Sequence, residues 1–326
     1  MRTRLVARTD LDASVLCLGT AEFGSAVEDS VSETIINRYL EAGGNVLDTA
    51  EVYAEWIPGG SHRSEEFLGQ WLRKRKSRDG LILSTKGAHP RLNSMHIPRM
   101  SKQDVESDLN SSLRRLGVDY VDIYWLHRDD VSRPVEEILL MLEEFRESGK
   151  IRYAGFSNWT LARAEAACTA AEKLNIPGFI GSQNQWSLAK ADASKGDQTW
   201  AYIDESFVDW HTKHGFAAFP YTPQANGYFR RLDNGSIAQA SDLVKALFHH
   251  PQNENRYRRI KVLQSETGYN LGDIVLGYLL GQPFPVFPIV GPRKVADLDE
   301  SVRAADVTLT ADHLDFLTAD TEVKDR

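Results

Sequence analysis

The chain is short of the features that mark several protein classes. It has only two cysteines, Cys17 and Cys168, among 326 residues. Two cysteines build no disulfide framework. Cys17 lies in the apolar run VLCLG and Cys168 in an Ala-rich helical stretch, so both are expected to be buried free thiols in a reducing cytoplasm. No apolar run reaches the roughly 18 residues that suggest a membrane helix. The N-terminal stretch MRTRLVARTDLDAS has basic residues but no apolar core of a signal peptide. Basic residues are outnumbered, 38 Lys and Arg against 46 Asp and Glu, for a formal net charge of −8. That balance argues against a general nucleic-acid binder. It leaves room for a local basic pocket that takes an anionic cofactor. No GxGxxG follows the first strand, which speaks against an open doubly wound sheet. His89 and His96 do not match metal-site spacing and lack a second ligand pair, so no metal is expected.

What is present is a repeated alternation. Apolar, strand-like runs at 15–19, 45–48, 81–86, 121–127, 151–158, 179–185, 216–223 and 285–291 make eight. Amphipathic helical stretches follow the first five, over about 30–42, 64–76, 102–116, 135–148 and 161–174. Strands alternating with helices imply βαβ units and a parallel sheet. Eight of them in this length predict a single-domain (β/α)8 TIM barrel over residues 1–326, with a short N-terminal β-hairpin. Residues 224–256 are polar and read as a long loop over one end of the barrel, with one helical patch near 240–248.

Side chains at the C-terminal ends of barrel strands converge on one face. Asp48 ends NVLD, and Tyr53 follows in the next loop. Lys86 ends LILSTK, and His127 ends VDIYWLH. A carboxylate in a barrel core needs a partner, and Lys86 can supply it. A neighbouring ammonium is expected to lower the Tyr53 pKa from its usual value near 10. Tyr53 could then protonate a developing alkoxide while His127 hydrogen-bonds the same oxygen. These groups suit carbonyl reduction but supply no hydride, which implies a reduced nicotinamide.

At these residues the chain resembles the aldo-keto reductase superfamily. The likeness runs through LGTAEFG (18–24), NVLDTAEVY (45–53), STKG (84–87), LHRDD (126–130) and GKIRYAGFSNW (149–159). It continues through QNQWS (183–187), YTPQANG (221–227) and IVGPRKVADLDES (289–301). The resemblance implies a tetrad of Asp48, Tyr53, Lys86 and His127, with Tyr53 as general acid. It implies that Ser157, Asn158 and Gln183 bind the nicotinamide carboxamide and that Trp186 stacks on the ring. Tyr221, Thr222, Pro223, Gln224, Ala225 and Gly227 match the loop that wraps the pyrophosphate. Gly19, Thr20 and Gly291 complete the cofactor cleft. Arg293 and Lys294 fall near the 2′-phosphate contacts, which favours NADP(H) and leaves NAD(H) possible. Asp297 and Glu300 fall at the adenine. The chain departs from the family pattern at Gln224, Asn226, Asp297 and Ser301, and has Trp186 where Tyr is more frequent. The tetrad is unchanged.

Phe23, Trp56, His89 and Arg128 are the candidate substrate contacts. Trp56, His89 and Arg128, with Asp129, suggest a small, polar or sugar-like carbonyl compound as the partner; neither nucleic acid nor membrane is expected. Oligomeric state is not readable. Two rivals remain at this stage: a Schiff-base lyase using Lys86, and a non-catalytic, nicotinamide-binding regulatory subunit. The short stretch before the first barrel strand weakens the second.

Overall fold

A computed structural model describes residues 1–75 and 77–322. Its order begins with an antiparallel hairpin, β1 (Thr3–Leu5) and β2 (Asp12–Ser14). The barrel follows as β3 (Cys17–Gly19), α1 (Asp29–Glu41), β4 (Val46–Asp48), α2 (Arg63–Arg75), β5 (Ile82–Gly87), α3 (Lys102–Leu116), β6 (Val121–Leu126) and α4 (Val135–Glu147). It continues with β7 (Ile151–Phe156), α5 (Leu161–Leu174), β8 (Phe179–Ser182), α6 (Glu205–His214) and β9 (Ala217–Ala218). Then come α7 (Tyr228–Asp233), α8 (Asp242–Phe248), α9 (Pro251–Thr267), α10 (Leu271–Leu280), β10 (Ile289–Val290), α11 (Val295–Ala304) and α12 (Ala311–Thr318). Residue 76, where the sequence reading ends α2, lies outside the described residues. No helix is long and apolar enough to cross a membrane among the described residues.

The eight strands pair in parallel in the order β10-β3-β4-β5-β6-β7-β8-β9. Backbone bonds close the ring: Ala218 N to Pro285 O (2.9 Å), Phe287 N to Ala218 O (2.8 Å) and Ile289 N to Pro220 O (3.0 Å). Every residue of β6 is buried, as expected of a strand covered on both faces. One face feeds the inner core of Cys17, Val46, Ile82, Ile123, Trp125, Ile180, Phe219 and Phe287. The other packs on the helices. The helix ends are locally encoded. The Ser101 hydroxyl accepts from Asp104 N to start α3, which ends at Gly117 with φ of 70°. Thr160 accepts from Arg163 N to start α5.

Register places the chemistry. Asp48 pairs with Ser84, and Lys86 pairs with Trp125. Neighbours in register share a face, so these four side chains enter the barrel together. Trp125 is fully buried beneath them. A Cβ on its register partner Gly155 would lie 2.1 Å from the indole, so the glycine makes room for the tryptophan.

Two expectations fail here. Residues 224–256 are largely helical rather than a long loop, because Tyr228, Phe229, Val244, Leu247 and Phe248 are buried and give α7 and α8 apolar faces. The Ser241 cap on Val244 N starts α8, and Pro251 opens α9 at its first turn. Cys17 is buried, but Cys168 is only partly so.

Candidate active site

Asp48 stands at the centre of a buried cluster. Lys86 Nζ donates to Asp48 Oδ2 (2.6 Å) and to the Thr49 carbonyl (2.7 Å). Ser84 Oγ donates to Asp48 Oδ1 (2.7 Å), as does Gln183 Nε2 (3.1 Å). Trp125 Nε1 in turn donates to Ser84 Oγ (2.6 Å). The carboxylate is thus ion-paired and hydrogen-bonded, which is the condition for burying it. Lys86 Nζ lies 4.4 Å from the Tyr53 ring centroid. The rings of Tyr53 and His127 stand edge to face at 6.0 Å, and those of His89 and His127 at 4.8 Å.

Burial lowers the Lys86 pKa, but Asp48 and Tyr53 outweigh it, and the net shift is upward. Lys86 is therefore an ammonium, which disfavours the lyase reading, since a Schiff base needs a free amine. Burial pushes the Tyr53 phenol up, with Lys86 pulling it down and Asp48 pushing it up again. The expectation of a lowered Tyr53 pKa is thus reversed: desolvation exceeds the ammonium's effect, and Tyr53 stays protonated at neutral pH. Burial, aided by His89, Arg128 and Lys86, holds His127 well below its usual value. His127 is neutral, and its buried Nδ1 has no partner among the described residues.

The loops on this face are conformationally unusual. Ala54, Ala88, Asn158, Thr222, Ala225 and Asn226 all have positive φ without being glycine. Such residues cluster at functional sites, and a β-branched Thr222 at φ of 55° is an outlier. Left-handed backbone at Thr222 and again at Ala225, Asn226 and Gly227 makes a sharply turned loop whose backbone suits an anion. Nothing lies within 4 Å of where a Cβ on Gly227 or Gly291 would point. The orphaned His127 nitrogen, this cradle and the basic pair after β10 fit a phosphate-bearing nicotinamide.

The other cofactor candidates fall into three groups. Ser157 Oγ donates to Gln183 O (2.6 Å), and Asn158 Nδ2 donates to Ser157 Oγ (2.9 Å) and His127 O (3.1 Å). These three do meet beside the tetrad. Gly19 and Thr20 line the end of β3, where Thr20 N and Oγ1 donate to Asp48 O. Arg293 grips Glu22 through two bonds of 2.5 Å, and Arg230 of α7 faces both Asp297 (3.4 Å) and Glu300 (3.5 Å). Lys294 lies 4.0 Å from Asp297.

Two placements must be corrected. Trp186 belongs to the outer core, stacked on Phe284 at 5.9 Å and edge-on to Tyr278 of α10, so it is a packing residue. Tyr221 is the aromatic at the mouth, with its hydroxyl donating to Asn158 Oδ1 (2.8 Å). Phe23 is likewise core, edge-on to Phe67 of α2. Trp56 is 51% exposed and edge-on to Tyr53 at 6.1 Å, and His89 is buried against His127, so both border the site. Asp129 is occupied by Arg163 (2.8 and 2.9 Å). The sequence reading missed Ser84 and Trp125. The period-two alternation of β5 and β6 puts both on the Asp48 face and could have found them.

That support for Asp48 makes a prediction. Ser84→Ala leaves Asp48 Oδ1 and the Trp125 indole each short of one partner. A loss of about 1–3 kcal/mol is expected, because a buried indole N–H is left without an acceptor, read as a lower melting midpoint. A lower kcat with KM for the carbonyl unchanged would show that the loss reaches the reacting groups.

The closed parallel barrel thus gathers Asp48, Lys86, Tyr53 and His127 at its C-terminal mouth, a set of groups suited to acting on a carbonyl. The chain belongs to the Aldo/keto reductase family, whose pattern matches residues 15–319. It is 27% identical to an uncharacterized oxidoreductase, YrpG, of Bacillus subtilis, over 97% of this chain and 95% of that protein. It is 24% identical to a probable voltage-gated potassium channel subunit beta of Arabidopsis thaliana, over 94% and 92%. In fold it is similar to a crystal structure of a thermostable aldo-keto reductase, Tm1743, in complex with the inhibitor epalrestat. The TM-score is 0.72, with 24% identity and 98% and 99% of the two chains covered.

Proposed function

We propose that this chain, as one barrel domain, reduces a small polar aldehyde or ketone with NADPH in the cytoplasm. The observation that carries the reading is the buried Asp48–Lys86 pair beside a protonated Tyr53 and a neutral His127. When bound, the reduced nicotinamide supplies a hydride to the carbonyl carbon. Tyr53 gives its phenolic proton to the oxygen as the carbonyl π bond opens, which leaves an alcohol. Lys86, held by Asp48 and Thr49, stabilises the phenolate left behind. His127 orients the carbonyl oxygen through a neutral ring nitrogen. Ser157, Asn158 and Gln183 hold the carboxamide, Tyr221 carries the ring, and the 222–227 turns cradle the pyrophosphate.

Arg293 and Lys294 favour the 2′-phosphate, once Arg293 is released from Glu22. Arg293→Leu is expected to weaken NADPH binding roughly ten- to a hundredfold and leave NADH nearly unchanged, since hydrogen bonds to charged groups are worth about 1.5–3 kcal/mol. Fluorescence titration with both nucleotides checks this. Equal losses for the two would sink the assignment of Arg293. The likeness to the plant channel subunit favours a second reading, a binding subunit without turnover. Steady reduction of any aldehyde above the Tyr53→Phe background excludes it.

A further inference from the structure

We propose that the natural substrate carries an anion, a carboxylate or phosphate, and that Arg128 binds it while Tyr53 and His127 hold the carbonyl oxygen. The inference rests on the reductase reading above. Arg128 follows His127 directly and is only partly exposed. Its Nε donates to Thr199 Oγ1 (3.0 Å) and its Nη1 to the His127 carbonyl (2.8 Å). Those two bonds fix the side chain beside the site. Among the described residues Nη2 has no hydrogen-bond partner and the guanidinium has no ion-pair partner.

The neighbouring carboxylates are already engaged. Asp129 is held by Arg163, and Asp130 is bound within its own turn to Ser132 and lies 3.9 Å from Arg133. Asp197 takes the Thr199 hydroxyl on Oδ1 (2.7 Å) and is close enough for its charge to act on Arg128, but it makes no direct hydrogen bond or ion pair with the guanidinium among the described residues. The other cations near the mouth have partners: Lys86 has Asp48, and Arg91 lies 3.7 Å from Glu51. In a chain with more acids than bases, a half-buried guanidinium with only a distant carboxylate and no direct ion pair has room for a bound anion. Its charge bears on Tyr53, His127, His89 and Tyr221, which are the groups that ring the carbonyl site. Burial and Arg128 together bring His89 down to about 4, so that histidine is neutral and does not compete for the anion. A guanidinium offers a planar fork that suits carboxylate and phosphate alike.

The test compares kcat/KM, with NADPH, for two matched pairs. Succinic semialdehyde against butanal isolates a carboxylate. Glyceraldehyde 3-phosphate against glyceraldehyde isolates a phosphate. At least one charged member is expected to be preferred about tenfold or more, chiefly through KM. The pair that shows it identifies the anion. Arg128→Met should collapse the charged-to-neutral ratio by a similar factor, and Arg128→Lys should restore part of it. Neutral members reduced as well as both charged ones would overturn the inference and leave the reductase reading standing. A preference that survives Arg128→Met would also overturn it. Failure on all four while another, uncharged aldehyde is reduced would overturn this inference alone, and failure on every aldehyde would remove the reductase reading with it.

Discussion

Tyr53→Phe is expected to lower kcat for aldehyde reduction by roughly a hundred- to ten-thousandfold, the range that a positioned general acid contributes. Nucleotide affinity should be nearly unchanged, because the ring remains and only the hydroxyl is lost. The reason lies in protonation state. Burial raises the Tyr53 pKa despite the ammonium beside it. The acid form therefore persists through neutral pH, and reduction should fall only in the alkaline range, where the phenol ionises. Rate profiles of the parent and Tyr53→Phe check both statements. A variant that keeps most of its activity would show that the proton comes from elsewhere.

Lys86→Met should have a second large effect, on two observables at once. It removes the cation that holds the Tyr53 phenolate, so kcat should fall by a factor comparable with Tyr53→Phe. It also strands Asp48 in a buried site, where Ser84 and Gln183 supply hydrogen bonds but no charge. Breaking a buried pair from one side costs about 3–5 kcal/mol. The double variant Asp48→Asn with Lys86→Met removes that stranded charge. It is expected to regain much of the stability, seen as a higher denaturation midpoint, and none of the activity. Recovery of activity with stability would reduce the pair to a structural role.

These expectations draw unequally on sequence and structure. The meeting of Asp48, Lys86 and His127 was legible because each ends an apolar run or directly follows one, and a parallel barrel sends such positions to one mouth. The eight-fold alternation was legible for the same reason. Strand-adjacent aromatics were not. Trp186 and Phe23 follow strand ends, yet both turn outward onto Phe284 and Phe67, and motif position alone does not tell mouth from helix layer. The 224–256 stretch was misread because its helices are short and polar outside, so burial of Tyr228, Phe229 and Phe248 decides their form. The Glu22–Arg293 pair joins residues 271 positions apart, a distance no local pattern spans. The direction of the Tyr53 shift depends on how dry the site is, which only packing reveals.

The central claim is hydride transfer to a carbonyl at the Tyr53 mouth. Its most direct test is reduction of an aldehyde by the purified protein with NADPH carrying deuterium at the transferable C4 position. The account predicts one deuterium on the carbinol carbon of the product alcohol, in the parent protein and far more slowly in Tyr53→Phe. Alcohol without the label, or nucleotide bound with no alcohol formed, would contradict it.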